Sequence, residues 1–365
     1  MNQLDFPYPF SGFRDLDFTN CFASLYMYLE DFPRGDDYAC AKKQGKPCQW
    51  QEGCHNCWQS PGNMQGRLFF LFDTVSGRAA TVRGWGNKPT AILQEIYDND
   101  DMVDFIMGYA GYGYEKHADN LMERIRASID GGTPVLARMK KDGAPYLDDA
   151  KNNSFRVITG YDGGKLLTPE PKGAANPPKK QPKPGDIDSV YIITGKTERK
   201  YKLLDGLRRI KRVMDADRAA GTWDEYIHAF EGYWDRLKDL SLKELKQLHE
   251  YAYKGTIWNC HNFSSAFCFY KDYERAPALF TNWIWDEFAH AGLERFDGQW
   301  GAYDDSHTRQ WQLHSLFETR NWRKKYYGEL EWGMCETAAM ILRKIKEDDD
   351  IVYGAVRELI DLLEH

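Results

Sequence analysis

Cysteine, histidine and amide side chains carry most of the chemistry this chain can offer. Cys21 sits in Phe18-Thr19-Asn20-Cys21-Phe22-Ala23-Ser24-Leu25, where a polar lead-in runs into an amphipathic stretch. A thiol at a helix N-terminus receives the helix dipole and unpaired backbone N–H groups, which favour the nucleophilic thiolate. Asn20 beside it is a candidate for holding an oxyanion. The plainer reading is a small buried apolar residue. A working nucleophile also needs a proton shuttle. The candidate is His261, in Trp258-Asn259-Cys260-His261-Asn262-Phe263, at a predicted helix start after Gly255. This stretch is either a pocket wall facing Cys21, with Trp258 and Asn259 on the substrate side, or an N-cap with a satisfied core histidine. His117, between Glu115 and Asp119, reads as a surface residue opening a helix.

Cys40, Cys48, Cys54 and Cys57 form a second group, spaced C-x7-C-x5-C-x2-C with His55 inside the last pair. Gly45, Pro47 and Gly53 make the segment rich in turns, as a metal knuckle requires. Four thiolates suit tetrahedral zinc. An iron–sulfur cluster, two disulfides or free thiols are the other readings. The role in each case is to brace an insertion over about 38–60, not to catalyse. No organic cofactor is implied.

The elements that must position these residues fall into two textures. Up to residue 200, helix and strand signals mix. Helix is expected at 21–31, 88–98, 102–107 and 117–130, and strand at 66–72, 134–139, 155–161, 164–168 and 188–194. Gly131-Gly132 ends a helix, and Gly160-Tyr161-Asp162-Gly163-Gly164 turns a hairpin between two apolar runs. Gly108 to Tyr114 reads as a Gly- and Tyr-rich loop, and 169–186, rich in Pro and Lys, as an exposed one that could dock an acidic partner or simply be solvated. From about 203 only helical periodicity appears, as in Leu207, Ile210, Val213 and Met214. Asp304 to His307 reads as a polar loop and Lys346 to Asp350 as a charged connection between helices.

The 365 residues leave room for two domains with full cores. A net charge of −7 gives no broad basic field, which argues against nucleic acid as a partner. The 12 Trp and 22 Tyr can fill cores or line a groove for an organic ligand. No apolar run is long enough to span a bilayer, and the N-terminal residues show no signal-peptide pattern, so a cytoplasmic location with reduced or metal-bound cysteines is expected. The oligomeric state is not legible.

Three stretches together resemble the papain-like cysteine peptidase superfamily, and within it the butirosin biosynthesis protein H-like family. They are Asn20-Cys21-Phe22-Ala23-Ser24-Leu25, Gly131-Gly132-Thr133-Pro134-Val135-Leu136-Ala137-Arg138, and Val157-Ile158-Thr159-Gly160-Tyr161-Asp162 with Leu166-Leu167-Thr168-Pro169 behind it. The resemblance implies an α+β papain-like domain at 1–200 followed by an all-helical domain at 201–365. It implies acyl transfer or amide chemistry, with Cys21 attacking a thioester or amide of a small, peptide-like or carrier-protein-bound substrate. Phe155, Arg156 and Asp162 on the hairpin would then face that substrate. Two positions depart from the family. Its histidine begins the strand that ends in Gly-Tyr-Asp, and here Phe155 does. Its orienting Asp precedes a Pro, and here Thr168 precedes Pro169, with Glu170 beyond. The rival expectation is a non-catalytic descendant that binds a ligand or partner in the same groove.

Overall fold

The computed structural model describes residues 1–11, 16–32, 34, 61–80, 99–140, 154–171, 180–224, 227–228, 231, 266–267, 283–317 and 332–365. The fold is α+β, and the chain divides into two compact units. The first comprises Met1–Phe72, Asn99–Lys202 and Phe269–Glu287, and the second Asp73–Asp98, Leu203–Cys268 and Phe288–His365.

The first unit holds β1 (Asn2–Gln3), α1 (Phe18–Leu29), α2 (Pro61–Val75, whose last three residues group with the second unit), α3 (Asn99–Ala110), β2 (Tyr112–His117), α4 (Leu121–Asp130), β3 (Val135–Met139), β4 (Phe155–Ile158), β5 (Gly160–Asp162), β6 (Lys165–Leu167) and β7 (Ile187–Lys196). Its two sheets are antiparallel, ordered β2-β7-β3-β4 and β1-β5-β6. Ile125 and Ile129, one turn apart on α4, bury against Val135, Ala137, Ile158, Leu166, Ile187 and Val190. That amphipathic stripe is why α4 forms where it does. Gly160 is required by close backbone approach, since a Cβ there would lie 2.5 Å from the Asn2 carbonyl oxygen and 2.8 Å from Gln3 Cα.

Three expectations for this unit are corrected. The strand expected at 66–72 lies inside helix α2. Leu68 to Phe72 are all buried, so no period separates helix from strand, and Pro61 at the first helical position was the better signal. The Gly-rich loop expected at 108–114 ends as the start of strand β2. His117 closes that strand, paired with Val190 of β7, and does not open a helix. An edge strand with charged, exposed residues shows little apolar alternation to read. The β5–β6 hairpin forms where expected, with Asp162 opposite Lys165.

The second unit is helical in its described residues. It contains α5 (Leu203–Ala219), the end of α6 (Trp283–His290), α7 (Asp297–Phe317) and α8 (Trp332–Glu364). Leu207, Ile210, Val213 and Met214 of α5 are buried, as are Leu342, Ile345, Val352, Val356 and Leu359 of α8. The charged connection expected at 346–350 is part of the continuous helix α8, and the polar loop expected at 304–307 is part of α7. A run of like charges weakens a helix only modestly, and partners offset that cost. Here Asp349 Oδ2 lies 2.7 Å from Arg218 Nη2, the Tyr303 hydroxyl donates to Asp349 Oδ1 at 2.6 Å, and Asp348 pairs with Arg309. The first residues of α6 belong to the first unit, where the Arg199 guanidinium stacks 3.6 Å from the Trp283 ring and pairs with Glu287 at 2.7 Å. Among the described residues no helix is long and apolar enough to cross a membrane.

Candidate functional site

Asp17 sets the N-terminus of α1. Its backbone is extended (φ −86°, ψ −178°), and its Oδ1 accepts the Asn20 N–H at 2.9 Å and the Thr19 hydroxyl at 3.2 Å. This is an N-cap. It starts the helix at Phe18 and places Cys21 one turn in. The Cys21 N–H is bonded to the Asp17 carbonyl at 3.0 Å, so the loose N–H expected at the thiol is already used.

Asn20 is fully buried and fixes the chain that precedes α1. Its Oδ1 accepts the Ser11 N–H and a Gln65 Nε2 proton, each at 2.8 Å, and its Nδ2 donates to the Ser11 carbonyl at 3.1 Å. Gln65 Nε2 also lies 3.1 Å from the Asn20 carbonyl and 3.2 Å from Ser24 Oγ. The amide proposed for an oxyanion is thus occupied as a staple. Gln65 stands just before the stretch 66–72 that reads as a strand, and no motif marks it.

Cys21 is a free thiol with no exposed surface. Burial pushes its pKa far above the ordinary thiol range; Arg156 acts in the opposite direction and Asp17 adds to the rise. The thiol is therefore neutral at physiological pH, opposite to the expectation from the helix dipole. Phe155 begins β4 and is also fully buried. Its N–H donates to the Leu16 carbonyl at 2.9 Å, and its ring meets Phe18 edge-on at 5.3 Å and lies 6.0 Å from Tyr191. The α1 start and the β4 start are thus neighbours, with the Phe18 and Phe155 rings packed between them.

Arg156, next along β4, is buried and donates through Nη1 to the Phe155 carbonyl at 2.7 Å. It also borders a cavity of about 110 Å³, together with Phe10, Leu16, Val157, Thr168, Pro169, Pro171, Lys180 and Gln181. Gln181 Oε1 accepts both the Thr168 hydroxyl at 2.7 Å and the Thr168 N–H at 2.9 Å. Cys21 is not in that lining. Asp162 is not brought to it either. It is exposed at the end of β5, 3.6 Å from the Met1 amine. His117 is bonded to Glu115 at 3.1 Å. The candidates Trp258, Asn259 and His261, and the thiols Cys40, Cys48, Cys54 and Cys57, lie outside the described residues. Among the described residues no three His, Cys, Asp or Glu side chains converge as a metal site.

No family model matches the chain, and neither a curated protein nor a solved structure does.

Proposed function

We propose that the first unit is a papain-like descendant that binds a ligand and performs no acyl transfer through Cys21. The observation that carries this reading is the complete burial of Cys21, together with a phenylalanine, Phe155, at the position of the family's histidine. Both residues are fully buried, and an aromatic ring stands where the family's proton shuttle would be. A thiol that cannot ionise or reach a carbonyl is not a nucleophile. The binding site in this reading is the cavity beside Arg156. It lies among the stretches that carry the resemblance, bordered by Leu16 before α1, Arg156 on β4 and Thr168-Pro169 after β6. Arg156 and Lys180 favour an anion. A cavity of about 110 Å³ is smaller than the ~150 Å³ that accepts benzene, so it takes a small carboxylate or phosphate head group and not a folded peptide.

The reading includes a structural zinc on Cys40, Cys48, Cys54 and Cys57 and a cytoplasmic setting that keeps the thiols reduced or metal-bound. Elemental analysis of chelator-free protein tests the first, with Cys54→Ser expected to release the metal. The function itself is tested by peptide-resolved thiol alkylation. Cys21 is expected to stay unlabelled from about pH 6 to about pH 9 until denaturant is added. Carboxylate and phosphate compounds are expected to raise the melting temperature of the wild type and not of Arg156→Gln. Rapid labelling of Cys21 at neutral pH would instead return the acyl-transfer reading, with His261 as its shuttle.

A further inference from the structure

Besides Met1, the large apolar side chains exposed among the described residues are Met340, Ile351 and Leu362, at 55%, 47% and 45%. All three are on α8, eleven residues apart each time. Eleven residues make three helical turns with about 20° to spare, so the three project along one line over about 33 Å. The buried residues Leu342, Ile345, Val352, Val356 and Leu359 occupy the opposite side of the helix. An isolated exposed apolar residue needs no explanation. Three in register on one helix face do.

Lys344, Glu347, Gly354 and Glu358 lie on the same line and are exposed. Ile351 is at its centre. Turning the helix end for end about Ile351 sets Met340 against Leu362 and Lys344 against Glu358, while Ile351 meets its own copy. Lys344 already pairs with Glu347 at 2.7 Å, which places its ammonium on this face. A parallel pairing would set Lys344 against Lys344 and Glu358 against Glu358, so the charges select the antiparallel one. Gly354 adds a notch beside the centre. Among the described residues an added Cβ there would meet nothing within 4 Å, so no packing contact among them calls for a glycine. A glycine inside a helix costs about 1 kcal/mol relative to alanine.

We propose that α8 is a self-complementary interface on which two copies of this chain pair antiparallel about Ile351. One helix face of this length buries on the order of 1,000 Å² in total, at the low end for a specific interface, so the dimer is weak and reversible. The inference rests on the second unit and does not depend on the ligand reading of the first.

Sedimentation equilibrium of the full chain, at up to about 200 μM, tests it. The wild type is expected to show a monomer–dimer equilibrium. Ile351→Asp, an exposed change that leaves the circular dichroism unaltered, should weaken it at least about tenfold. Lys344→Glu and Glu358→Lys should each weaken it, and the double swap should restore it. Ile351→Cys should cross-link to its own copy on oxidation, beyond the level of the wild type. A wild type that stays monomeric throughout overturns the proposal. So does a dimer indifferent to Ile351→Asp, or single charge reversals that the double swap fails to rescue.

Discussion

Cys21 in α1 and Asp349 in α8 are both buried ionisable groups, and the two units treat them differently. The Cys21 thiol lies in a helix turn whose neighbours include Phe18 and Phe22, stacked at 5.7 Å, and the charges that act on it, Arg156 and Asp17, pull in opposite directions. Asp349 is given a guanidinium at 2.7 Å and a phenol at 2.6 Å. Burial pushes both pKa values up. Burial sets the direction in which a group is driven, while a dedicated hydrogen-bonding partner decides whether a charge can be kept there at all.

The largest effect should come from breaking the partnered case. Arg218→Ala leaves Asp349 buried against Tyr303 alone and should cost about 3–5 kcal/mol in denaturant unfolding. Adding Asp349→Leu should recover most of that loss, because the stranded charge is then gone. Full destabilisation persisting in the double variant would show that Arg218 acts through its other contacts, the Tyr353 ring 3.9 Å away and Asp350 at 2.9 Å, and not through the Asp349 carboxylate.

Next in size is the unpartnered case. Cys21→Ser exchanges a weakly polar thiol for a hydroxyl in a fully buried site and should cost about 1–3 kcal/mol. Cys21→Ala should cost less, since it leaves only a small void. If serine were tolerated as well as alanine, the site would be wetter than described.

Acid should then act on the two units with opposite sign. In the first, burial works to raise the Asp100 and Asp188 pKa values, but hydrogen bonds outweigh it and hold both below the usual carboxylate range. The donors are Lys116 and Tyr191 for Asp100, and Arg138 for Asp188. Their contribution is present above the unfolded pKa of about 3.9 and is lost as pH falls below it. In the second, burial raises the Asp348 and Asp349 pKa values despite Arg309 and Arg218. That contribution is full below about pH 3.9 and is lost as pH rises through the folded values. Hydrogen exchange corrected for intrinsic rates should show α7 and α8 gaining protection as pH drops from 7 toward about 4, and β2 and β7 losing it below about 4. Parallel behaviour of the two sets would remove the distinction. The smallest effect belongs to the exposed pair Arg208–Glu364 at 2.8 Å, where Arg208→Ala should change stability by less than about 1 kcal/mol and only at low salt.

Much of the frame was legible because strong local signals agreed. The α4 stripe, the Gly131-Gly132 stop and the Gly160–Gly164 turn each state their element plainly. The all-buried run at 68–72 did not, since a segment buried on every side has no period to show. The site was legible in part. Asp17 before Phe18 is a readable N-cap, and it would have placed Cys21 inside the helix and not at its mouth. Nothing local announces Gln65 bonding Asn20 from 45 positions away, or Lys180 and Gln181 meeting Arg156 around one cavity. Those are products of tertiary packing. The buried state of Asp348 and Asp349 is equally invisible until Arg218 and Arg309 are seen to arrive from other helices.

The clamp on Arg199 bears on the order in which the molecule can be finished. Its partners Trp283 and Glu287 are synthesised more than eighty residues after it. As the chain leaves the ribosome, the sheets of the first unit can pair as soon as β7 is out. The Arg199 and Tyr109 side chains then wait, without Trp283, through the synthesis of α5 and everything up to α6. A fragment ending at Lys202 would keep that surface open for good, whereas the full chain closes it late, and from the far end.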